Sequence, residues 1–271
     1  MSALAALADW PVDHVSAAII TPSGVVEEFG DARRVYELAS VTKLLVAQTV
    51  LIGVQEGAAD LDDAAGPPGA TLAHLLAHAS GLAFDSGEPA APVGTQRIYS
   101  SAGFEVAAEY VESATEIGFA EYLQQAVCEP LGLRATVLAG PAGHGARSTV
   151  ADLGAFAADL LTPRLLSGEL AARASSVAFP GLDGFVPGYG KHRPNDWGLG
   201  FEIRSHKTPH WTGSRNSPRT FGHFGQSGTF LWVDPDLAAA CVVLTDRQFG
   251  AWAKPLWSEF NDTVVEALGG S

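Results

Sequence analysis

Residues 37–46 read ELASVTKLLV, and they place Ser40 three residues before Lys43, one of only four lysines in the chain. No further charged residue occurs until Glu56. Residues 41–55 are typical of a helix that ends at the following glycine. Because apolar residues occur all round this helix rather than along one stripe, we expect protein to surround it on every side. A lysine at the start of such a helix requires an explanation.

Two interpretations of Ser40 and Lys43 are open from these residues alone. Their spacing puts both side chains on one face of the first helical turn. If Lys43 is buried, its pKa falls, and the neutral amine can activate Ser40 as a nucleophile beside the free N–H groups of the helix start. Alternatively, Ser40 caps the helix and Lys43 extends its amine to solvent. The S-x-x-K pattern by itself is weak, and these four residues alone favour the capping interpretation.

The composition is that of a globular protein with a sizeable core and an acidic surface. The 271 residues are 47% apolar, enough for one large domain or two closely joined ones. Acidic residues outnumber basic ones by 30 to 16, and the net charge is −14. We therefore expect binding neither to nucleic acid nor to an anionic membrane surface.

The N-terminal sequence predicts a cytoplasmic protein. MSALAALADWPVDH lacks the basic segment and the long apolar segment of an export signal. No uncharged apolar run reaches the ~20 residues that span a bilayer. In a reducing compartment, Cys128 and Cys241 are expected to be buried, unpaired thiols.

Strand signals cluster at the two ends of the chain, and helical signals lie between them. HVSAAII and VVEEFG flank a Thr-Pro-Ser-Gly turn near the N-terminus, and LGFEIR, TFLWVD and AAACVVLTD occur near the C-terminus. Helical spacing occurs in residues 71–79 and 101–113, in FAEYLQQAVCEPLG and STVADLGAFAADLL, and in the tail from Ala253 to Leu268.

This arrangement predicts an α+β fold rather than alternating βαβ units. We expect an antiparallel sheet built from both chain ends and flanked by helices, with a mostly helical insertion. The predicted sheet domain is discontinuous and comprises residues 1–60 and 195–271. The predicted helical domain comprises residues 61–194.

No cofactor and no metal site is predicted. The chain has no G-x-G-x-x-G after a strand and no G-x-x-x-x-G-K-[ST]. Four histidines show no pairing at metal-ligand spacing, namely His144, His192, His206 and His210.

Six blocks of sequence, in the same order, resemble the serine β-lactamase and penicillin-binding-protein superfamily, and in particular its class C and esterase branch. Ser40-Val41-Thr42-Lys43 is similar to the S-x-x-K signature, and GAADLDD resembles the usual end of the active-site helix. LLAHASGL matches L-L-x-H-x-S-G-L, and YSSAGFEVAAEYVE falls where the branch carries Tyr-x-Asn. STVADLGAFAADLL resembles S-T-x-x-D-L-x-x-F. WGLGFEI and GHFGQSGTFLWVDP resemble the closing strands, where His-x-Gly replaces Lys-Thr-Gly in many esterase-like members.

The resemblance, which covers nearly the whole chain, implies the catalytic residues. Ser40 is expected to be the acylated nucleophile, and Lys43 is expected to help accept its proton. Tyr99 is a second acid/base candidate that would share proton transfer with Lys43 and protonate the leaving group. Which of Lys43 and Tyr99 is the principal base stays open.

The resemblance also implies the residues that line the cleft. His223 and Gly225 are expected on a strand beside the nucleophile. The backbone N–H of Gln226 is expected to form the oxyanion hole with that of Ser40. His78, in the middle of LLAHASGL, is interpreted as structural support behind the site.

Two departures from the family pattern bear on the substrate. Ser101 stands where Tyr-x-Asn has its amide, and it either offers one shorter hydrogen bond or only caps the next helix. HFG stands where Lys-Thr-Gly supplies a fixed cation and a hydroxyl for a substrate carboxylate, and His223 is expected to be largely neutral at pH 7. Both changes weaken recognition of anionic amides and favour a small neutral ester.

The sequence therefore predicts a serine hydrolase that forms an acyl-enzyme on Ser40, most simply a carboxylesterase whose partner is a small-molecule acyl ester or amide. One alternative is a β-lactamase or a D,D-peptidase or D-aminopeptidase type of amide hydrolase. Another is a catalytically degenerate member that binds a ligand or partner. Ser227, in GQSGT, is a rival nucleophile, but Thr229 occupies the last glycine position of a G-x-S-x-G elbow. The sequence sets no oligomeric state.

Overall fold

The computed structural model describes residues 2–270, which form eleven strands and eight α-helices. The strands are β1 (Val15–Thr21), β2 (Gly24–Phe29), β3 (Tyr36–Glu37), β4 (Val137–Leu138), β5 (Ala146–Ser148), β6 (Gly184–Val186), β7 (Gly190–His192), β8 (Glu202–Ile203), β9 (Phe221–Gly225), β10 (Thr229–Asp234) and β11 (Ala239–Thr245). The helices are α1 (Thr42–Gln55), α2 (Leu72–Leu76), α3 (Ala102–Thr115), α4 (Phe119–Leu123), α5 (Glu129–Leu131), α6 (Val150–Leu161), α7 (Gly168–Ala174) and α8 (Ala253–Ala267).

The main sheet is antiparallel and takes its strands from both ends of the chain. Its six strands lie in the order β2-β1-β11-β10-β9-β8. The N-terminal strand β1 pairs with the C-terminal strand β11, with Ile19 opposite Cys241. The predicted α+β fold and its antiparallel sheet are therefore confirmed. Two smaller sheets have the strand orders β3-β5-β4 and β6-β7.

Alternation along the strands gives the sheet two buried faces. Ile20 and Val242 point into one core, which also contains α1, α3 and α6. Ile19 and Val243 point into the other, which contains α8 and the N-terminal 3₁₀ helix Ala3–Asp9. Because successive side chains of a strand point to opposite faces, two apolar layers on the sheet require strands that are apolar throughout.

Helix α1 lies in the interior of the first core. Every residue from Thr42 to Gly53 is buried, as expected from its apolar residues on all sides. The helix ends at Gln55, and Gly57 follows with a φ of 78°, in the left-handed region that glycine adopts without strain. Lys43 belongs to this buried run, so its amine cannot reach solvent as the capping interpretation requires.

The packing does not separate the two predicted domains from each other. Helix α6 lies within 61–194, yet it packs against β1, β10 and β11 of the main sheet. The boundaries at residues 60 and 195 stay a prediction. Cys128 and Cys241 are both free and buried. Within residues 2–270, no helix is long and apolar enough to cross a membrane.

A buried ion pair lies at the β8 edge of the main sheet. Glu202 Oε1 accepts hydrogen bonds from Lys207 Nζ at 2.9 Å and His210 Nε2 at 3.2 Å, and Oε2 accepts one from Trp211 Nε1 at 2.7 Å. Burial alone would raise the pKa of Glu202, but the charge of Lys207 and the bond from His210 outweigh it, and the pKa falls well below its usual range. Lys207 Nζ also lies 5.8 Å from the centre of the Trp197 ring, so the pair is in contact with this tryptophan.

Glu202→Gln is expected to lower the free energy of unfolding by about 3 kcal/mol, because Lys207 would stay buried without its countercharge. The matched control is Asp236→Asn, which removes the partner of Arg219 in a pair whose side chains are 45% and 69% exposed. Surface pairs contribute about 0–1 kcal/mol, so this control should change stability little. Urea unfolding of both variants measures the difference, and equal losses would contradict the expectation.

Candidate active site

Ser40 lies in a strained turn at the entrance to α1. It is the middle residue of the 3₁₀ turn Ala39–Val41, and Ala39 has a φ of 45°, which is uncommon for a residue with a Cβ. Such a conformation costs on the order of 1 kcal/mol and is concentrated at functional sites. Ser40 is half-buried, and no side chain caps α1. The capping interpretation of Ser40 is therefore wrong.

Strand β9 approaches this turn because it ends in glycine. A Cβ on Gly225 would lie 2.3 Å from the Leu38 carbonyl oxygen and 2.5 Å from Thr229 Oγ1. Thr229 Oγ1 donates to that same carbonyl at 3.0 Å. Gln226 follows at once and begins a tight turn that is closed by the bond from Gly228 N to Gly225 O at 3.0 Å. Gln226 therefore directly follows the point at which β9 contacts the residues next to Ser40.

The turn that carries Gln226 is tied to the loop before α8. Gln226 O accepts from Phe249 N at 2.8 Å, and Gln226 Nε2 donates to Phe249 O at 3.2 Å. With the side chain engaged in this way, only the backbone of Gln226 is free to face the site. An N–H held by two flanking contacts is suited to stabilising charge without reorganisation.

Lys43 is fully buried beside Ser40, Tyr99 and Ser101. Its Nζ donates to the Gly143 carbonyl oxygen at 2.7 Å and to Ser101 Oγ at 3.1 Å, and it lies 4.7 Å from the centre of the Tyr99 ring. Burial lowers the pKa of Lys43 to about 7, and the charge of Glu105 opposes this fall. A large fraction of the amine is therefore neutral at neutral pH and can accept a proton.

Two adjacent serines divide the tasks of capping and of binding Lys43. Ser101 occupies the position before α3, but its side chain makes no capping bond and accepts from Lys43 instead. Ser100 Oγ accepts from Gly103 N at 3.0 Å and donates to the Ala83 carbonyl oxygen at 2.6 Å. Ser100 therefore fixes the start of α3, and Ser101 belongs to the site.

The Tyr99 ring lies close to both Lys43 and His223 of β9. The hydroxyl is buried and makes no hydrogen bond of ordinary geometry within residues 2–270. Burial raises the pKa of Tyr99, and contact with the Ser40 side chain opposes the rise. The phenol is thus protonated at neutral pH and can donate. Its ring lies 5.6 Å from that of His223.

His223 is neutral and offers an acceptor to the site. Its Nδ1–H donates to the carbonyl oxygen of Phe224 at 2.6 Å, so Nε2 carries the free lone pair. Burial and the charge of Lys43 lower the pKa of His223 to about 3. The strand therefore presents no fixed cation where Lys-Thr-Gly would have one.

His78 supports the turn that carries Tyr99. Its Nδ1 accepts from Ser100 N at 3.1 Å, and its carbonyl oxygen accepts from Ile98 N at 2.9 Å. Its φ of 55° is left-handed. The interpretation of His78 as support agrees with these contacts.

The sequence did not indicate three contributors to the site, namely Trp197, Gly143 and Glu105. The Trp197 ring lies 4.5 Å from the His78 ring and 5.4 Å from the His223 ring. Trp197 Nε1, His78 Nε2 and His223 Nε2 are buried without a partner in the described chain, so polar capacity is available to a bound molecule. The only signal for Trp197 was its position at the start of WGLGFEI.

The rival Ser227 lies in the turn after β9. Its Oγ contacts Thr229 Oγ1 at 3.2 Å, and within residues 2–270 it has no hydrogen bond to a lysine, histidine or carboxylate. Nothing in these contacts activates it.

This fold, with its sheet from both chain ends and a serine and a buried lysine at the head of the central helix, defines a serine hydrolase of the β-lactamase and transpeptidase type. The chain belongs to the β-lactamase family, whose model, described as Beta-lactamase, matches residues 17–261. The resemblance found in the sequence is thereby confirmed.

Solved structures agree with this assignment. A crystal structure of a β-lactamase from Mycobacterium bovis is 56% identical, with a TM-score of 0.98, and the match covers 98% of this chain and 99% of that one. A simvastatin synthase mutant from Aspergillus terreus shares the fold at 16% identity, with a TM-score of 0.79 and coverage of 97% and 93%. EstCE1, a hydrolase with promiscuous acyltransferase activity, does so at 16% identity, with a TM-score of 0.76 and coverage of 96% and 95%. No curated protein matches the chain.

Ser100→Ala is expected to affect stability, and Ser101→Ala is expected to affect the reactivity of Ser40. Loss of the Ser100 hydroxyl removes the cap of α3 and should lower the free energy of unfolding by about 1 kcal/mol. Loss of the Ser101 hydroxyl removes an acceptor from Lys43, and it should slow labelling of Ser40 by a fluorophosphonate about 10-fold. Urea unfolding and labelling rates separate the two. Slower labelling of Ser100→Ala than of Ser101→Ala would contradict this division.

Proposed function

We propose that this serine hydrolase is a carboxylesterase that acts on small neutral esters through an acyl-enzyme on Ser40. The observation that carries the proposal is the buried Lys43 amine, whose pKa is lowered to about 7 and which lies one helical turn from Ser40. A base is most effective when its pKa lies near the working pH.

In the proposed acylation step, neutral Lys43 accepts the proton of Ser40, and Oγ attacks the ester carbonyl carbon. The developing oxyanion is stabilised by the backbone N–H groups of Ser40 and Gln226. The bond from the carbonyl carbon to the alcohol oxygen then breaks. Tyr99, protonated because burial raises its pKa, donates to the leaving oxygen and regains a proton from Lys43. A water molecule repeats these steps on the acyl-enzyme and releases the acid.

The preference for neutral esters rests on the charge of the cleft. His223 is neutral, and Phe224 packs against Tyr189 and Phe249, away from the site. Phe84, 54% exposed, stacks on the Tyr99 ring at 5.9 Å and adds apolar surface beside it. A substrate carboxylate would find no cation there, whereas an alkyl or acyl group finds aromatic surface.

A β-lactamase activity is the second candidate, because the relative that is 56% identical is described as a β-lactamase. The hydrolase with acyltransferase activity, although it shares only the fold, supports the ester proposal instead. The neutral His223 favours the ester, since it cannot pair with the carboxylate of a β-lactam.

Ser40→Ala is expected to reduce hydrolysis of p-nitrophenyl butyrate at least ~10³-fold, because the acyl-enzyme can no longer form. Ser227→Ala is the matched control and should retain wild-type turnover. Mass-spectrometric mapping of a fluorophosphonate adduct should locate it on Ser40.

Three outcomes would contradict this assignment. Full activity of Ser40→Ala would show that Ser40 is not the nucleophile. Absence of labelling in the folded wild-type protein would favour a binding protein without turnover. Faster turnover of nitrocefin than of the ester would replace the esterase proposal by a β-lactamase.

The pH dependence of kcat/KM is expected to show an acid limb near pH 7. Lys43 must be neutral to accept a proton, so activity is lost as pH falls below the pKa of Lys43 and is gained as pH rises through it. The raised pKa of Tyr99 keeps the phenol protonated, so activity should not fall before pH exceeds the ordinary range for tyrosine. Initial rates with p-nitrophenyl butyrate from about pH 5 to about pH 9 measure this profile. An acid limb near pH 4 would indicate a carboxylate base instead.

A further inference from the structure

We propose that Glu105 is a positioning residue for Lys43, which it orients through the loop at Ala142 and Gly143 and whose charge it balances. The inference deepens the proposed function, since it assumes that Lys43 is the base. Family resemblance assigned no role to Glu105, which lies in the first turn of α3.

The contacts form one continuous chain from carboxylate to amine. Glu105 Oε1 accepts from Gly143 N at 2.7 Å, and Oε2 accepts from Ala142 N at 2.8 Å. The carbonyl oxygen of Gly143 in turn accepts from Lys43 Nζ at 2.7 Å. Both oxygens of one carboxylate therefore hold the loop whose carbonyl oxygen holds the amine, and charge-assisted bonds of this length are among the stronger ones.

The close packing of the loop depends on glycine at position 143. A Cβ there would lie 2.8 Å from Ser101 Cβ and 3.2 Å from Glu105 Oε1. Such a side chain would push the loop off α3 and take the carbonyl oxygen away from Lys43. Glycine thus lets the loop contact Ser101 closely while its backbone N–H groups reach the Glu105 carboxylate.

The hydrogen bonds also set the direction of the lone pair of Lys43. A neutral lysine amine has two N–H groups, and Gly143 O and Ser101 Oγ accept one each. The lone pair is left for the hydroxyl of Ser40. If the loop moved, an N–H would turn toward Ser40 and the amine could no longer accept its proton.

Glu105 supplies the negative charge that acts on Lys43. The other titratable groups around the amine are Tyr99, His78 and His223. Burial raises the pKa of Tyr99 and lowers the pKa of both histidines, so all three are neutral at pH 7. The charge of Glu105 raises the pKa of Lys43 against the larger effect of burial. Removing that charge must lower the pKa further.

The test is Glu105→Gln, with Glu109→Gln as the matched control. Glu109 lies one turn further along α3 and is exposed, so both variants lose one charge from the same helix. The amide oxygen of glutamine can still accept from one N–H of the loop. Its NH₂ group faces the second N–H, and two donors form no hydrogen bond.

The direct readout is NMR titration of the lysine side chains labelled with ¹³C at Cε. The chain has only four lysines, so a Lys43→Arg spectrum assigns the signal of Lys43. We expect the midpoint of Lys43 to fall by about 0.5–1 pH unit in Glu105→Gln and to stay unchanged in Glu109→Gln. The acid limb of ester hydrolysis should move to lower pH by the same amount, and kcat above the limb should fall about 10-fold because the loop is loosened.

A purely structural role for Glu105 would lower kcat or stability and leave the Lys43 midpoint in place, and that result would overturn the proposal. If Glu105→Gln does not fold, Glu105→Asp replaces it. The aspartate keeps the charge but is one methylene too short to reach both N–H groups, so we expect the midpoint to stay and kcat above the acid limb to fall at unchanged KM. Unchanged kcat, or a loss of folded protein that alone accounts for the lower activity, would overturn the proposal. The NMR midpoint needs no turnover, so failure of the esterase proposal and failure of the role of Glu105 give different results.

Discussion

A buried amine is the constraint on which the rest of this structure depends. Lys43 lies within a helix whose neighbours are apolar, where a charged ammonium would be costly. The surroundings reduce that cost without a salt bridge, by giving the amine two acceptors and a distant carboxylate instead of a direct countercharge. A direct ion pair would have held the lysine protonated at neutral pH and unable to accept a proton. The position of Glu105 behind a peptide group is thus a compromise between stability and basicity.

The main sheet positions the other part of the site, beside the turn that carries Ser40. Because β1 and β11 come from the two chain ends and pair at the centre, β9 is fixed beside the turn that precedes α1. The absence of a side chain at Gly225 allows that contact. Ser40 therefore lies where the N-terminal and C-terminal parts of the chain meet, and its geometry depends on completed folding rather than on local sequence.

Sequence alone predicted the α+β fold, the sheet from both chain ends and the residues that the structure brings together at Ser40, Lys43, Tyr99 and His223. The fold follows from hydrophobic period and turn residues, and the site residues follow from the resemblance of short sequence blocks to a known family. The partners of Lys43 were not predictable in this way. Gly143 is 100 residues away in sequence, and its role is carried by a backbone oxygen, which every residue has. Which of two adjacent serines caps α3 depends on the direction in which the chain enters the helix, so Ser101 was undecided until the fold was known.

In the proposed reaction, the charge of the cleft bears on the choice of substrate. Tyr99, His78 and His223 are all held neutral by burial, and burial also lowers the pKa of Lys43 to about 7. In the proposed reaction the oxyanion is stabilised by backbone dipoles, which are present before substrate binds and need no counterion. A substrate with its own carboxylate would bring a second negative charge into this site, and the net charge of −14 would oppose its approach. In the proposed reaction, a neutral ester develops its single negative charge only in the transition state, beside the backbone N–H groups of Ser40 and Gln226.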